Sequence, residues 1–350
     1  MKNKVFAFFL ASAFILNVVG LTFADTKSKK SKNQTNQLAL LLPASDGVIT
    51  LDVKRFFASA LPQILSGNKL MLDEINGKIN DFKAKTGIDA RQFEQVAVGV
   101  TSKVVAPKKI NLDAVVLARG SFSANAIAAT AKIASEGKYR EEKIADRTVY
   151  IFSPKDFVEK NKPATTPNNS DTKKTIDNIL SKLPTELAVT AYDNNTLAFG
   201  SLTRVRETLE AKTRVSNQLL DLVNRKQSAV MSFAADLPNG IADFVSLGDD
   251  ELGQNINSIR QVYGTMNVVG ENTLLSIVAK TADAKAAEGL QKILSDLREV
   301  GKILLGSSKG ADKKVYGRLL ENAKISLNGS EVMLDLQVPQ SDINALIGAK

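Results

Sequence analysis

The apolar positions of this chain fall into short runs with two different periods. Residues 48–53, 96–100, 114–118, 187–191, 196–199 and 229–235 are brief and rich in Val, Ile, Leu and Ala, which predicts strands. Residues 139–152 predict a strand pair turning near Ala145-Asp146, and residues 263–280 a pair turning at Gly270-Glu271-Asn272. Residues 325–338 form the clearest hairpin, because Asn328-Gly329 is a favoured tight-turn dipeptide. Asp193-Asn194-Asn195 turns the 187–199 pair, since Asn tolerates a positive φ. Between the strands the period lengthens. Helices are predicted at about 54–65 and 69–85, and after Ser123 through Ala124, Ile127, Ala128, Ala131 and Ile133. A further stripe combines Leu202, Val205 and Leu209, leaving Arg204, Arg206, Glu207 and Glu210 for water. Another carries Leu290, Ile293, Leu294, Leu297 and Val300 on one face.

The elements repeat. Leu117-Ala118-Arg119-Gly120-Ser121-Phe122-Ser123 parallels Leu197-Ala198-Phe199-Gly200-Ser201-Leu202-Thr203 at an offset of 80 residues. Asn272-Thr273-Leu274 echoes Asn195-Thr196-Leu197 in a third copy. Duplication of a strand-strand-helix unit accounts for the echo. Tight turns between paired strands then predict an α+β fold of antiparallel sheets with helices packed on one face. Expected along the chain are a signal peptide at 1–24, a disordered tether at 25–37 and a first α+β unit at 38–153. A disordered polar loop at 154–175 and a second α+β region at 176–350, with two further repeat-like units, complete it.

The N-terminus sets the compartment. Lys2 and Lys4 precede an uncharged, mostly apolar run over 5–23, and Thr22-Phe23-Ala24 places modest side chains before Asp25. This is a secretory signal pattern, with cleavage expected after Ala24 and a periplasmic or secreted product. Retention of the run as a membrane anchor is the alternative, which Asn17 and Gly20 weaken. No later stretch is long and apolar enough to span a bilayer, so no stable membrane span is expected after cleavage.

Composition narrows the chemistry. The chain of 350 residues is 44% hydrophobic and 24% charged, as globular domains are. Its formal charge of +9 falls to +7 without Lys2 and Lys4, and Lys27, Lys29, Lys30 and Lys32 sit in the tether. The remainder is mildly basic, with both signs interspersed. There is no Cys, His or Trp. That excludes disulfides, lipid attachment through cysteine, imidazole and thiolate catalysis, and zinc, haem or iron–sulfur sites with Cys or His ligands. Nucleic-acid binding lacks both a motif and basic residues interleaved with aromatics.

Several segments resemble a loose group of uncharacterised exported bacterial proteins of the domain-of-unknown-function type. They are Leu42-Pro43-Ala44-Ser45-Asp46, Thr86-Gly87-Ile88-Asp89, Tyr139 with Val149-Tyr150-Ile151-Phe152, and Thr196-Leu197-Ala198-Phe199-Gly200-Ser201. The resemblance implies export and an α+β fold. It brings no activity, cofactor or catalytic residue.

Candidate chemistry is sparse. Ser66-Gly67-Asn68-Lys69 and Lys85-Thr86-Gly87 echo motifs of penicillin-binding enzymes, with Ser66 as nucleophile and Lys69 as base. They stand too close in sequence to flank an active site, no S-D-N lies between them, and Ser170-Asp171-Thr172-Lys173 repeats the first by composition. Asp249-Asp250-Glu251 is the densest acidic run, but consecutive carboxylates lack the alternating spacing of a calcium loop. Glu141, Glu142 and Asp146 supply carboxylates for a glycosidase-type pair, yet adjacent strand residues point to opposite faces. No catalytic, cofactor-binding or metal residue is therefore nominated.

The expected role is a non-enzymatic interaction or structural protein of the envelope, with another envelope protein as partner. The alternative is a carrier or sensor for a lipid-like or other apolar ligand, in a cavity lined by residues such as Val115, Leu117, Ile151, Phe199 and Leu275. A carboxylate-based hydrolase comes last.

Overall fold

The computed structural model describes residues 37–106, 109–135, 137–153, 185–226, 228–238, 240–244, 251–306 and 311–348. The signal segment, the tether up to residue 36 and the 154–175 loop lie outside them.

Among the described residues twelve strands form one sheet: β1 (Gly47–Asp52), β2 (Phe93–Ala106), β3 (Lys109–Gly120), β4 (Arg140–Ile144), β5 (Arg147–Phe152), β6 (Leu187–Asp193), β7 (Thr196–Ser201), β8 (Met231–Asp236), β9 (Ile259–Val269), β10 (Asn272–Thr281), β11 (Lys324–Asn328) and β12 (Glu331–Pro339). Their order is β11-β12-β10-β9-β8-β1-β2-β3-β7-β6-β5-β4, and every neighbouring pair is antiparallel. The helices are α1 (Val53–Arg55, a π-helical Phe56–Ala60, then Leu61–Ile64), α2 (Lys69–Thr86), α3 (Ala124–Ala134), α4 (Leu202–Glu210), α5 (Asn217–Asn224), α6 (Ile241–Phe244), α7 (Glu251–Asn257), α8 (Ala284–Gly306), α9 (Ala311–Asn322) and α10 (Gln340–Gly348). The fold is α+β with a large antiparallel sheet.

The expected regions 38–153 and 176–350 share this sheet. From the second region, β6 pairs with β5 and β7 pairs with β3. Chain order shows a different symmetry. After β1, α1 and α2, the β2-β3 pair leads through α3 to the edge strand β4, and the chain walks back to β3. After β8, the β9-β10 pair leads through α8 and α9 to the other edge strand, β11, and β12 returns to β10. The two runs meet where β1 pairs antiparallel with β8. By this layout β3 corresponds to β10. The 80-residue echo links β3 to β7, which are instead hydrogen-bonded neighbours. The strand-strand-helix units do exist, as β2-β3-α3, β6-β7-α4 and β9-β10-α8.

Helices cover both faces, where the sequence pattern predicts one. The physical reason is that the central strands are apolar on both sides. On one face Val48, Ala97, Val115, Leu117, Ala198, Ala234 and Tyr263 pack with Val205 and Leu209 of α4 and with Leu219 and Val223 of α5. On the other, Ile49, Leu51, Met231 and Met266 meet Phe56 and Leu61 of α1. That second face also takes α3, through Ala124, Ile127 and Leu197, and α8, through Ala287, Leu290 and Val332.

The start of the described chain is built into the core. Leu38, Ala39 and Leu42 are fully buried. Arg214 Nη1 donates to the Leu41 carbonyl at 2.6 Å, and Arg204 Nη2 donates to Ala44 O and Ser45 Oγ, both at 2.8 Å. Asp46 Oδ2 accepts from the Ser102 amide and hydroxyl at 2.7 and 2.9 Å. The Leu42-Pro43-Ala44-Ser45-Asp46 segment is thus a strap clamped to the sheet.

Candidate interaction surface

The carboxylate candidates do not converge. Glu141 pairs across strands with Tyr150 and Glu142 with Val149, on opposite faces. Lys132 of α3 holds Glu141 at 2.8 Å, while Arg206 of α4 holds Glu142 at 2.6 Å. The Arg206 hydrogen bond keeps the Glu142 carboxyl below its ordinary range against a smaller effect of burial. Asp146 sits in the β4–β5 turn at φ 63°. Of the acidic run, Asp249 and Asp250 lie outside the described residues and Glu251 begins α7. Ser66 and Lys69 are exposed at the α1–α2 junction, where Asn68 Oδ1 caps α2 by accepting from the Met71 amide at 3.0 Å. Gly87 ends α2 in the left-handed conformation, its N–H donating to Lys83 O at 2.7 Å. Ser170 and Lys173 fall outside the described residues.

The expected cavity residues part in the same way. Val115, Leu117 and Ile151 belong to the core under α4 and α5, with Val115 and Leu117 fully buried. Phe199 and Leu275 pack in other clusters. These five side chains do not line one space.

Sequence reading missed a polar row, because strand register assembles it from distant segments. Thr50, Ser232, Thr265, Ser276 and Asp335 stand side by side across β1, β8, β9, β10 and β12. Ser276 Oγ donates to Asp335 Oδ1 at 2.7 Å, and Thr265 Oγ1 is buried without a hydrogen-bond partner. Lys226, just beyond α5, is pushed below its ordinary pKa by burial, and the Asp335 charge opposes that shift. Beside it Arg225 lies 4.6 Å over the Tyr263 ring, bonds the Tyr263 hydroxyl and reaches Glu331 at 3.3 Å. Burial raises the Tyr263 pKa to about 12, with Glu331 adding to the rise. Glu331 and Asp335 share a face four residues apart on β12, a separation of about 13 Å. That is too wide for a glycosidase pair, which needs roughly 5–9.5 Å. The cluster is cross-linked by its own charges, which suits it to bracing α5 on the sheet.

A second feature is apolar and exposed. On α8, Ala287 and Leu290 are buried and Leu294 packs beside them. A neighbouring stripe, Ile293, Leu297, Val300 and Leu304, follows the 4-3-4 spacing of a helix-pairing seam. Leu297, Val300, Ile303 and Leu304 are all at least half exposed. A single buried stripe is the sequence expectation for this helix. Instead Arg298 Nη1 donates to Ala323 O at 2.9 Å, and Gly301 lies against Leu320 of α9. Those contacts turn the first stripe to the protein and leave the second outward.

No protein-family model and no curated protein matches the chain. Among solved structures the chain is similar to TP0453 at 10% identity. Crystal form III covers 92% of this chain and 99% of that one with a TM-score of 0.44. Crystal form I covers 91% and 98% with a TM-score of 0.43. At that level the likeness assigns neither fold nor function to this chain.

Proposed function

We propose that this is an exported bacterial envelope protein with a non-enzymatic interaction role, released after Ala24, and that α8 docks an amphipathic helix of another envelope protein. The seam Ile293–Leu297–Val300–Leu304, exposed from Leu297 onward, carries this reading. Its 4-3-4 spacing offers holes for the knobs of a second helix, and apolar side chains this exposed on a long amphipathic helix favour a partner. The divergence of Glu141 from Glu142 removes support from the hydrolase reading. The separation of Val115 and Leu117 from Leu275 does the same for the carrier.

The chain has no cysteine, so a single one can be placed at will. Val300→Cys, carrying a thiol-attached photocrosslinker, should trap one discrete protein in the intact envelope. Adding Leu297→Asp should abolish the adduct without shifting the urea midpoint. A dimer of this chain as the sole adduct, or an adduct that survives Leu297→Asp, would overturn the reading.

A further inference from the structure

We propose that the free edge of β11 pairs with the same edge of a second copy of this chain, joining two sheets across a twofold axis. This goes beyond the helix-docking role and uses a different surface. β11 ends the sheet, and among the described residues no strand lies beyond it. Asn328 and Glu331 flank the two-residue turn Gly329-Ser330 and so exchange both backbone hydrogen bonds. Alternation then directs the backbone of Ser326 and Lys324 inward to β12 as well. Ile325 and Leu327 are left to present their N–H and C=O groups to the outside. The edge is open: Lys324, Ser326, Leu327 and Asn328 are all exposed, Leu327 at 39% although it is apolar. It is also held in place. The Thr281 amide and hydroxyl donate to Ser330 O at 2.9 and 3.1 Å, and Arg298 Nη1 donates to Ala323 O at 2.9 Å. A strand fixed at both ends is a ready template for edge pairing.

The register selects the occupant. An antiparallel twin centred on Ser326 places Ile325 opposite the partner's Leu327, so that each outward N–H meets an outward C=O. Lys324 falls opposite the partner's Asn328 and Ser326 opposite its own copy, so no like charges are opposed. Ile325 and Leu327 share one face, where the pairing covers Leu327 with the partner's Ile325. The other end of the sheet fails the same test. Beyond its turn at Ala145-Asp146, β4 directs the backbone of Glu141 and Lys143 outward. Its twin would centre on Glu142 and set that carboxylate against its own copy. Four of the five β4 residues are charged, as guarded edges are. Pairing of β11 with β4 of another copy would be head-to-tail and would run on into filaments, whereas the β11 twin closes after two copies.

The ladder is short, so the dimer belongs to the weak, concentration-dependent class. Sedimentation velocity of residues 25–350, from micromolar to millimolar concentration, should show monomer passing to dimer and nothing larger. Ser326→Lys opposes two ammonium groups on the axis and should weaken association about fivefold while the urea midpoint holds. The chain has no cysteine, and Ser326→Cys puts two thiols on the axis with Cα atoms about 4.5 Å apart, within disulfide reach. Mild oxidation should link this variant into a dimer. Asn328→Cys lies about 14 Å from its own copy in the twin and should not link. Leu297→Asp on α8 should leave the dimer intact, which separates this edge from the helix-docking face. A monomer at every concentration, assemblies larger than a dimer, equal linking at the two cysteine positions, or loss of the dimer with Leu297→Asp would each overturn the proposal.

Discussion

Asp89 shows how one buried charge is settled. It caps the short turn after α2 by accepting from the Arg91 amide at 3.0 Å, and it pairs with Arg91 Nε at 2.9 Å and Lys83 Nζ at 3.1 Å. Burial pushes its pKa up, but the hydrogen bonds from Arg91 and Lys83 outweigh that and hold it at about 2. A depressed carboxylate pKa stabilises the fold above the unfolded value of about 4, and that stabilisation is lost as the pH falls through 2. The partners are partly exposed, so screening reduces the effect to about 1–2 kcal/mol. Urea unfolding of Asp89→Asn should therefore show this deficit at pH 7, shrinking toward zero near pH 2. The side chain of Arg204 illustrates the opposite constraint: it is almost fully buried, and it answers with Ala44 O, Ser45 Oγ and the Glu207 carboxylate. The sequence reading placed Arg204 in water. The strap that buries it lies 160 residues earlier in the chain, and no local pattern records that contact.

Among the elements, the repeated Leu-Ala-x-Gly-Ser joint has a packing cause. A Cβ on Gly120 would lie 2.0 Å from Gln92 O, and one on Gly200 2.3 Å from Ala114 O. Each glycine lets a neighbouring backbone pass close to the end of its strand. This requirement, met twice, explains the resemblance of the two joints without making β3 and β7 topological equivalents. Gly200→Ala should cost about 2–3 kcal/mol by forcing β3 and β7 apart. Gly77→Ala in α2 meets nothing within 4 Å and should instead stabilise by about 0.5–1 kcal/mol. Thermal midpoints of the two variants should move in opposite directions. Hairpin turns were readable because their chemistry is local: Asn194-Asn195 and Gly270-Glu271 fall where expected. The 325–338 turn is shifted by one residue, to Gly329-Ser330, because Asn328 pairs with Glu331 as the last residue of β11. β2 and β3 run well past their apolar centres because each supplies the other's backbone partners through polar positions as well.

At the scale of the molecule, one sheet binds both regions together. The core beneath α4 and α5 joins Ile144 of β4 to Val278 of β10. Unfolding in urea should accordingly be a single transition, coincident by circular dichroism and tyrosine fluorescence. A fragment of residues 38–153 should stay unfolded, since β3 and β5 would lack β7 and β6, and its core would lack Leu219 and Val223. Mixing it with residues 176–350 should restore native circular dichroism. An independently folded 38–153 fragment would contradict the continuous sheet. Among the described residues no helix is long and apolar enough to cross a membrane. The proposed docking of a partner helix rests on the exposed apolar seam of α8.

The sequence by itself determined what short-range physics controls. Hydrophobic period set element type, Asn and Gly set the turns, and the lack of Cys, His and Trp ruled out whole classes of chemistry. That Glu141 and Glu142 diverge followed from strand alternation alone. The tertiary structure decided everything that depends on distant partners. It chose β1 against β8 as the meeting line of the two runs, and it placed helices on both faces. It also aligned the hydroxyl row from Thr50 to Ser276, and it decided which of the two stripes on α8 is buried. Strand order, register and helix rotation are fixed by packing between segments far apart in the chain, and their free energy appears only when those segments meet.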